Sequence, residues 1–462
     1  MLAVKACVFH GRVSADWQTR SSEHEPLYRE TYGTRWIFSV FGAVRIISQN
    51  DLPDTKTTMK TQQSIRISDC TLRDARYAPG VFLSTDVCLT IAKRLGQIGV
   101  DEIEIGKVSS GKKEKALMAA VNDLGLNTSC IYFCLNSRTI EDAIHYIADI
   151  GCRTVCISIP SSDPFRDHKL KRSFRAACKL MEKAVAFAVR KGLRAVFSGE
   201  DASRADARQL KTYIAAGFEA GASRFRFAES VACLNPFSIR RRVGFLTKSS
   251  PIDVEIHCHN AYGLAVANAL AAMEAGARWV SVTISGIGER GGNTPLEPIV
   301  LYLYQFCQHH HFQLKGLKPL ADYVSYHAGL PLHRFTPIVG DHAFQYELGN
   351  QFQASRIYEH YPPDLVGNHR HLAIGRHCDL HGIRIMLAQL DNLPQDGNLG
   401  ELYDRIKKYV AERQTALDSV ELKRFIEARR DGAEIASSAV AAPLKDFPPT
   451  RPGGAHVSKS TL

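Results

Sequence analysis

The chain has 462 residues, 45% of them apolar and 23% charged, and 58 Lys and Arg against 47 Asp and Glu leave a formal net charge of +11. That is ample apolar material for a large core, which excludes a wholly disordered chain. A membrane span needs about 18 consecutive apolar residues, and stretches such as WIFSVFGAVRII, Trp36 to Ile47, are too short and carry Arg45. The 12 cysteines are scattered without a CxxC pair, a usage that reads as reduced thiols of a cytoplasmic protein. The basic excess is dispersed and forms no stripe interleaved with aromatics, so neither nucleic acid nor a membrane is an expected partner. Part of it suits an anionic substrate.

Residues 1–60 form an N-terminal extension without clear periodicity. Up to Lys56 they hold seven Lys or Arg and six Asp or Glu, too acidic for a transit peptide. Met59 opens MKTQQSIRISDCTLRD, itself a natural start, so the extension is expected to be disordered or to lie upstream of the true N-terminus. From residue 61 to 315 a regular alternation holds. Short β-branched runs recur at IRISD (65–69), VDEIEIG (100–106), TSCIYF (128–133), RTVCISI (153–159), RAVFSG (194–199), SRFRFA (223–228), IDVEIHCH (252–259) and WVSVTISG (279–286). Helix-like segments such as 85–99, 174–192 and 265–277 lie between them, several ending in Gly. Eight strands alternating with helices predict an α/β fold, a (β/α)8 TIM barrel. An open doubly wound sheet is the rival, but the first strand runs into Asp-Cys-Thr-Leu-Arg-Asp without a phosphate loop. A smaller, mostly helical C-terminal region follows. It comprises a His-, Tyr- and Pro-rich linker subdomain (316–390), a charged helical segment (391–433) and an Ala-, Ser- and Pro-rich tail (434–462) expected to be disordered.

In such a barrel, catalytic groups sit at the C-terminal ends of the strands. Strand seven ends in Glu255-Ile256-His257-Cys258-His259-Asn260. The i, i+2 spacing puts His257 and His259 on one side, where two imidazoles can hold a divalent metal or simply pack in the core. Strand one leads to Arg73-Asp74. Asp74 offers a hard oxygen ligand and Arg73 a planar fork for a carbonyl or carboxylate; a surface ion pair is the plain alternative. Glu104 lies within apolar strand two and requires a cation or donor, which Arg73 would satisfy structurally. After strand eight, GIGERGGNTPLE (286–297) brings glycines for close backbone approach and Asn293 as a metal or substrate ligand.

SDCTLRD (68–74), HCHNAYGLAVANALAAMEAGA (257–277) and GIGERGGNTPLE (286–297) together resemble the DRE-TIM metallolyases. The closer likeness is to the Claisen-condensing branch, the isopropylmalate, homocitrate and related 2-alkylmalate synthases. LVGNHRHLAIGRH (365–377) is similar to the linker of nitrogen-fixation-type homocitrate synthases. The resemblance implies an acyltransferase that condenses acetyl-CoA or another acyl-CoA with a 2-oxo acid and hydrolyses the thioester. It implies a divalent metal (Mg, Mn, Zn or Co) on Asp74, His257 and His259, with Asn293 as fourth ligand. Arg73 would steady the developing alkoxide, Ser230 would bind the substrate carboxylate, and Glu104 would lie near the acyl methyl group and the base. A homodimer is implied as well.

The sequence departs from that pattern in places. The family's AFxHxxGIH-like segment reads Ala343-Phe344-Gln345-Tyr346-Glu347-Leu348-Gly349-Asn350-Gln351, so Tyr346 and Gln351 replace both histidines, and Gln cannot act as general base. Ala261 stands where an Asp is common, and apolar Val196 where relatives carry a charged side chain. Two alternatives therefore accompany the synthase reading: a retro-aldol lyase on the same barrel, and a non-catalytic, metabolite-binding descendant.

Overall fold

A computed structural model describes residues 64–108, 111–390 and 399–430, together with two short strands further upstream. The chain divides into two units, residues 1–60 and 61–462. In the first, Trp36–Ser39 pairs antiparallel with Gly42–Arg45. The rest of the predicted extension and the whole tail 434–462 lie outside the described residues.

The second unit is built on eight parallel strands: β1 (Arg66–Asp69), β2 (Glu102–Lys107), β3 (Thr128–Phe133), β4 (Thr154–Pro160), β5 (Arg194–Glu200), β6 (Arg224–Glu229), β7 (Asp253–Cys258) and β8 (Trp279–Val282). They close into a barrel in chain order, with β8 paired to β1 through Trp279 and Arg66. The predicted TIM barrel is therefore observed, and the open sheet is excluded.

Eight helices follow the strands: α1 (Thr85–Ile98), α2 (Gly111–Asn122), α3 (Ile140–Asp149), α4 (Phe174–Arg190), α5 (Ala207–Glu219), α6 (Pro236–Thr247), α7 (Ala265–Glu274) and α8 (Leu296–Phe306). In α1 the apolar residues Val87, Ile91, Leu95 and Ile98 recur at helical spacing and are buried. Ser84 caps its start by accepting from the Val87 amide, and Gly99 ends it at φ 97°. The outward side chains Phe197 of β5 and Phe225 of β6 meet Tyr213 of α5 edge-on and lie tilted against each other. Opposite Phe197, α5 carries Gly217, where any Cβ would strike the ring.

Beyond the barrel, α9 (Leu317–Ala328), α10 (Leu380–Gln389), α11 (Leu399–Arg413) and α12 (Ser419–Arg430) make the C-terminal region largely helical. Ile383, Met386, Leu387, Ile406, Val410, Leu422 and Phe425 give the last three helices their own core. Among the described residues, every cysteine is a free thiol, and no helix is long and apolar enough to cross a membrane.

Candidate metal centre at the barrel mouth

The site is assembled from strand ends. His257 belongs to β7 and His259 follows it directly, so the extended backbone turns both imidazoles to the same side. Their ring centroids are 5.2 Å apart with the planes perpendicular. Asp74 arrives from the turn after β1, and its Oδ2 lies 3.3 Å from His257 Nε2. One ligand atom each from Asp74, His257 and His259 falls within 4.8 Å of the others, and all three residues are buried. The expected trio therefore converges.

Asn293 completes the group. The loop after β8 folds back so that Asn293 bridges His259 in an antiparallel contact, and its Nδ2 donates to Asp74 Oδ2 at 3.0 Å. Its Oδ1 and the Nδ1 of His259 are buried without a hydrogen-bond partner. Buried polar atoms are seldom left so, and two beside a carboxylate and a second imidazole fit a divalent cation. The loop's glycines serve its own closure. A Cβ at Gly288 would strike the Asn293 amide, and one at Gly292, φ 89°, would strike the Gly286 carbonyl.

The electrostatics suit the same reading. Burial opposes the charged form of Asp74, yet Arg73 and His257 hold its carboxyl well below the usual carboxylate range. Burial, with the neighbouring His257, pushes His259 down to about 3, so its imidazole is neutral and able to ligate at neutral pH.

Arg73 is not a surface residue. It is 7% exposed, its Nη1 lies 2.8 Å from Asp74 Oδ1, and its Nε donates to Glu104. Glu104 also accepts from Arg226 Nη1 at 2.7 Å. Against the cost of burial, Arg226 and Arg73 hold Glu104 down at about 2. A carboxylate clamped between two guanidiniums is a poor proton acceptor.

Sequence reasoning did not single out Arg226. It opens a chain of alternating charges down the barrel. Arg226 Nε reaches Glu255 at 2.8 Å, Glu255 reaches Arg224 at 2.9 Å, and Arg224 reaches Glu102 at 2.6 Å. At its foot the Arg224 guanidinium stacks 3.8 Å from the Trp279 ring centroid. The signal was present: Glu102 and Glu104, Arg224 and Arg226, and Glu255 all interrupt apolar strands, and the pairs are spaced i, i+2.

Ser230 is not bonded to this cluster. Its Oγ accepts from the Asp201 amide at 2.9 Å, and its carbonyl accepts from Arg290 at 2.8 Å. Beside Arg73 opens a cavity of about 280 Å³ lined by Arg76, Tyr77, Phe82, Leu83 and Lys107, among others.

The segment carrying the departures lies in the linker. The Tyr346 hydroxyl donates to Glu359 at 3.0 Å, and burial together with Glu359 pushes it up to about 12. Gln351 sits on the short helix Gly349–Gln353.

The model of the HMGL-like family matches residues 64–324. The chain belongs to the HMGL-like family. A 2-isopropylmalate synthase of Caldanaerobacter subterraneus is 34% identical over 373 residues, covering 80% of this chain and 96% of that protein. Homocitrate synthase 1 of Nostoc is 32% identical over 371 residues, covering 79% and 98%. Among solved structures, a hydroxymethylglutaryl-CoA lyase from Pseudomonas aeruginosa superposes with a TM-score of 0.53 at 16% identity, over 64% of this chain and 99% of that one. That likeness concerns the fold alone. The DRE-TIM resemblance read from three motifs is therefore correct, and the aligned relatives are named as synthases.

Proposed function

We propose that this protein is an acyl-CoA-dependent 2-alkylmalate synthase. The observation that carries the reading is the convergence of Asp74, His257 and His259, with Asn293, at the barrel mouth beside buried Arg73. Relatives named 2-isopropylmalate and homocitrate synthases, aligned over about four-fifths of the chain, support it.

In this reading the four residues hold a divalent metal (Mg, Mn, Zn or Co), which as a Lewis acid would polarise the keto group and orient the 2-oxo acid. Arg73 supplies a fixed positive charge where the keto oxygen becomes an alkoxide. Glu104 is a positioning residue: it fixes Arg73 and is not the base. Ser230 binds the substrate carboxylate from the rim. The cavity beside Arg73, with Arg76 and Lys107 on its wall, receives the acyl-CoA, acetyl-CoA or another.

The reaction balances simply. A proton leaves the acyl methyl carbon, a carbon–carbon bond forms to the keto carbon, and the keto oxygen takes a proton. Water then breaks the C–S bond, releasing the CoA thiol and a carboxylate. Gln351 cannot take the methyl proton, and Tyr346 is bonded to Glu359, so the base lies elsewhere. The protein works as a homodimer in the cytoplasm.

Thiol release from acetyl-CoA tests the reading, measured with divalent metal across 2-oxo acids from pyruvate to 2-oxoglutarate. Turnover with at least one acid, lowered by roughly 100-fold or more in Asp74→Ala, is the expected result. Gln351 favours a second reading, a non-catalytic descendant. Metal and oxo-acid binding with no thiol release from any acid would establish it and end the first.

A further inference from the structure

A condensation of this kind makes negative charge at two oxygens. When the carbon–carbon bond forms, the keto oxygen becomes an alkoxide, and Arg73 with the metal donors lies on that side. Before that, the acyl methyl group loses a proton, and the charge so made rests on the thioester oxygen. That oxygen needs a donor of its own, held in place beforehand, on the wall of the cavity that takes the acyl group.

The charged groups of that wall are committed elsewhere. Arg73 is tied to Asp74 and Glu104. Arg76 is gripped by Glu114 through both terminal nitrogens, with Nη2 at 2.8 Å from Oε2. Tyr77, on the same wall, differs. Its amide donates to the Asp74 carbonyl at 3.1 Å, a single turn beyond Arg73 and Asp74. The Lys107 ammonium lies 5.0 Å from its ring centroid and helps to hold the ring. The residue is half-buried, and among the described residues nothing hydrogen-bonds its hydroxyl. A phenol can donate one such bond. Burial, against the pull of Arg73, pushes that hydroxyl up to about 12, with Glu104, Asp74 and Glu289 adding to the shift. It therefore keeps its proton at neutral pH, and it lies within the fields of both the metal donors and the loop after β8.

We infer that, given the proposed use of the site, the Tyr77 hydroxyl is the donor that stabilises the enolate oxygen of the acyl-CoA. A base takes the methyl proton, the electron pair of that C–H bond becomes the enolate's carbon–carbon π bond, and the carbonyl π pair moves onto the thioester oxygen. Tyr77 holds that charge by hydrogen bonding and gives up no proton. When the π pair attacks the keto carbon, the thioester carbonyl is restored. The neutral carbonyl is the weaker acceptor, so the bond strengthens as charge develops, which is the condition for catalysis.

Thiol release and analogue binding by the full chain test this. With Mn²⁺ and a 2-oxo acid that turns over, Tyr77→Phe should lower kcat by about 100-fold and leave KM for acetyl-CoA within about threefold. Two unreactive CoA analogues give a readout without turnover. One carries a carboxylate in place of the acetyl thioester, with the enolate's charge; the other carries a neutral methyl ketone. The unaltered protein should bind the carboxylate about tenfold more tightly than the ketone, and Tyr77→Phe should bind the two alike. An unchanged kcat in Tyr77→Phe, or a loss confined to KM, overturns the inference, as does equal binding of the two analogues to the unaltered protein. A preference for the carboxylate that depends on Tyr77, in a protein that releases no thiol with any 2-oxo acid, would refute the synthase and leave the donor standing. Thiol release that Tyr77→Phe does not slow would do the reverse.

Discussion

Glu297 at the start of α8 and Asp69 at the end of β1 are fully buried acids close to the metal loop. Glu297 accepts from the Ser285 amide at 2.9 Å, and Ser285 itself has a left-handed φ of 52°. Burial pushes Glu297 up to about 7 and Asp69 up to about 7, the charge of Glu297 adding to the second shift. Both therefore bind protons more tightly folded than unfolded. Their stabilising contribution is complete below their unfolded values near 4 and is lost as pH climbs through 7. In Glu297→Gln the amide oxygen still accepts from Ser285, but the titration is gone. The thermal midpoint of the unaltered protein should fall between pH 5 and 8 relative to that variant; parallel midpoint curves would contradict the assignment. Sequence alone marked such acids only where cost made them conspicuous. Glu104 demanded a cation and Arg73 answers it, because an unpaired carboxylate does not persist in an apolar strand. Glu297 and Asp69 gave no such notice, since their partners are amides and hydroxyls that no pattern advertises.

At the scale of elements, all eight barrel strands were legible, because β-branched runs separated by helical periods permit few other folds. The edges moved where loops reclaim residues. The last run was read through 286, but β8 ends at Val282, and Thr283 then donates to the Thr294 carbonyl at 3.0 Å as the loop folds back. The charges of the ionic chain stand out in the sequence, but their pairing was not legible, because the partners come from three strands and meet only on closure. Breaking a buried ion pair costs about 3–5 kcal/mol by leaving a charge uncompensated. Arg226→Met deprives both Glu104 and Glu255 of a partner, so chemical denaturation should register a loss of that order, and a change under about 1 kcal/mol would contradict the network's role. The outer layer is constrained differently. Phe197 is held by Tyr213 and Phe225 and cannot retreat from a methyl on α5. Gly217→Ala should therefore destabilise by about 1–3 kcal/mol, although Ala is the better helix former. An unchanged or raised midpoint would show that the helix can shift.

At the scale of the molecule, the metal donors exist as a set only when the ring is closed. Asp74 follows the first strand, His257 and His259 end the seventh, and Asn293 comes from the loop beyond the eighth. The pairing of Trp279 with Arg66 that seals the barrel also fixes the distance between these groups. An unfolded chain offers no such cluster, so a cation bound here stabilises the folded state by mass action. At a free concentration one hundred times its dissociation constant, the gain is about 2.7 kcal/mol, which for a chain of this size raises the midpoint by about 3 °C. Scanning calorimetry with Mn²⁺, Mg²⁺, Zn²⁺ or Co²⁺ should show a saturable rise for at least one ion, reversed by EDTA. Asp74→Asn keeps the side-chain shape but loses the charge, and should abolish the rise. If no ion at millimolar concentration moves the midpoint of the unaltered protein, the orphaned His259 Nδ1 and Asn293 Oδ1 are not metal ligands. The match of residues 64–324 to the HMGL-like family would then describe an ancestry whose metal chemistry this barrel no longer uses.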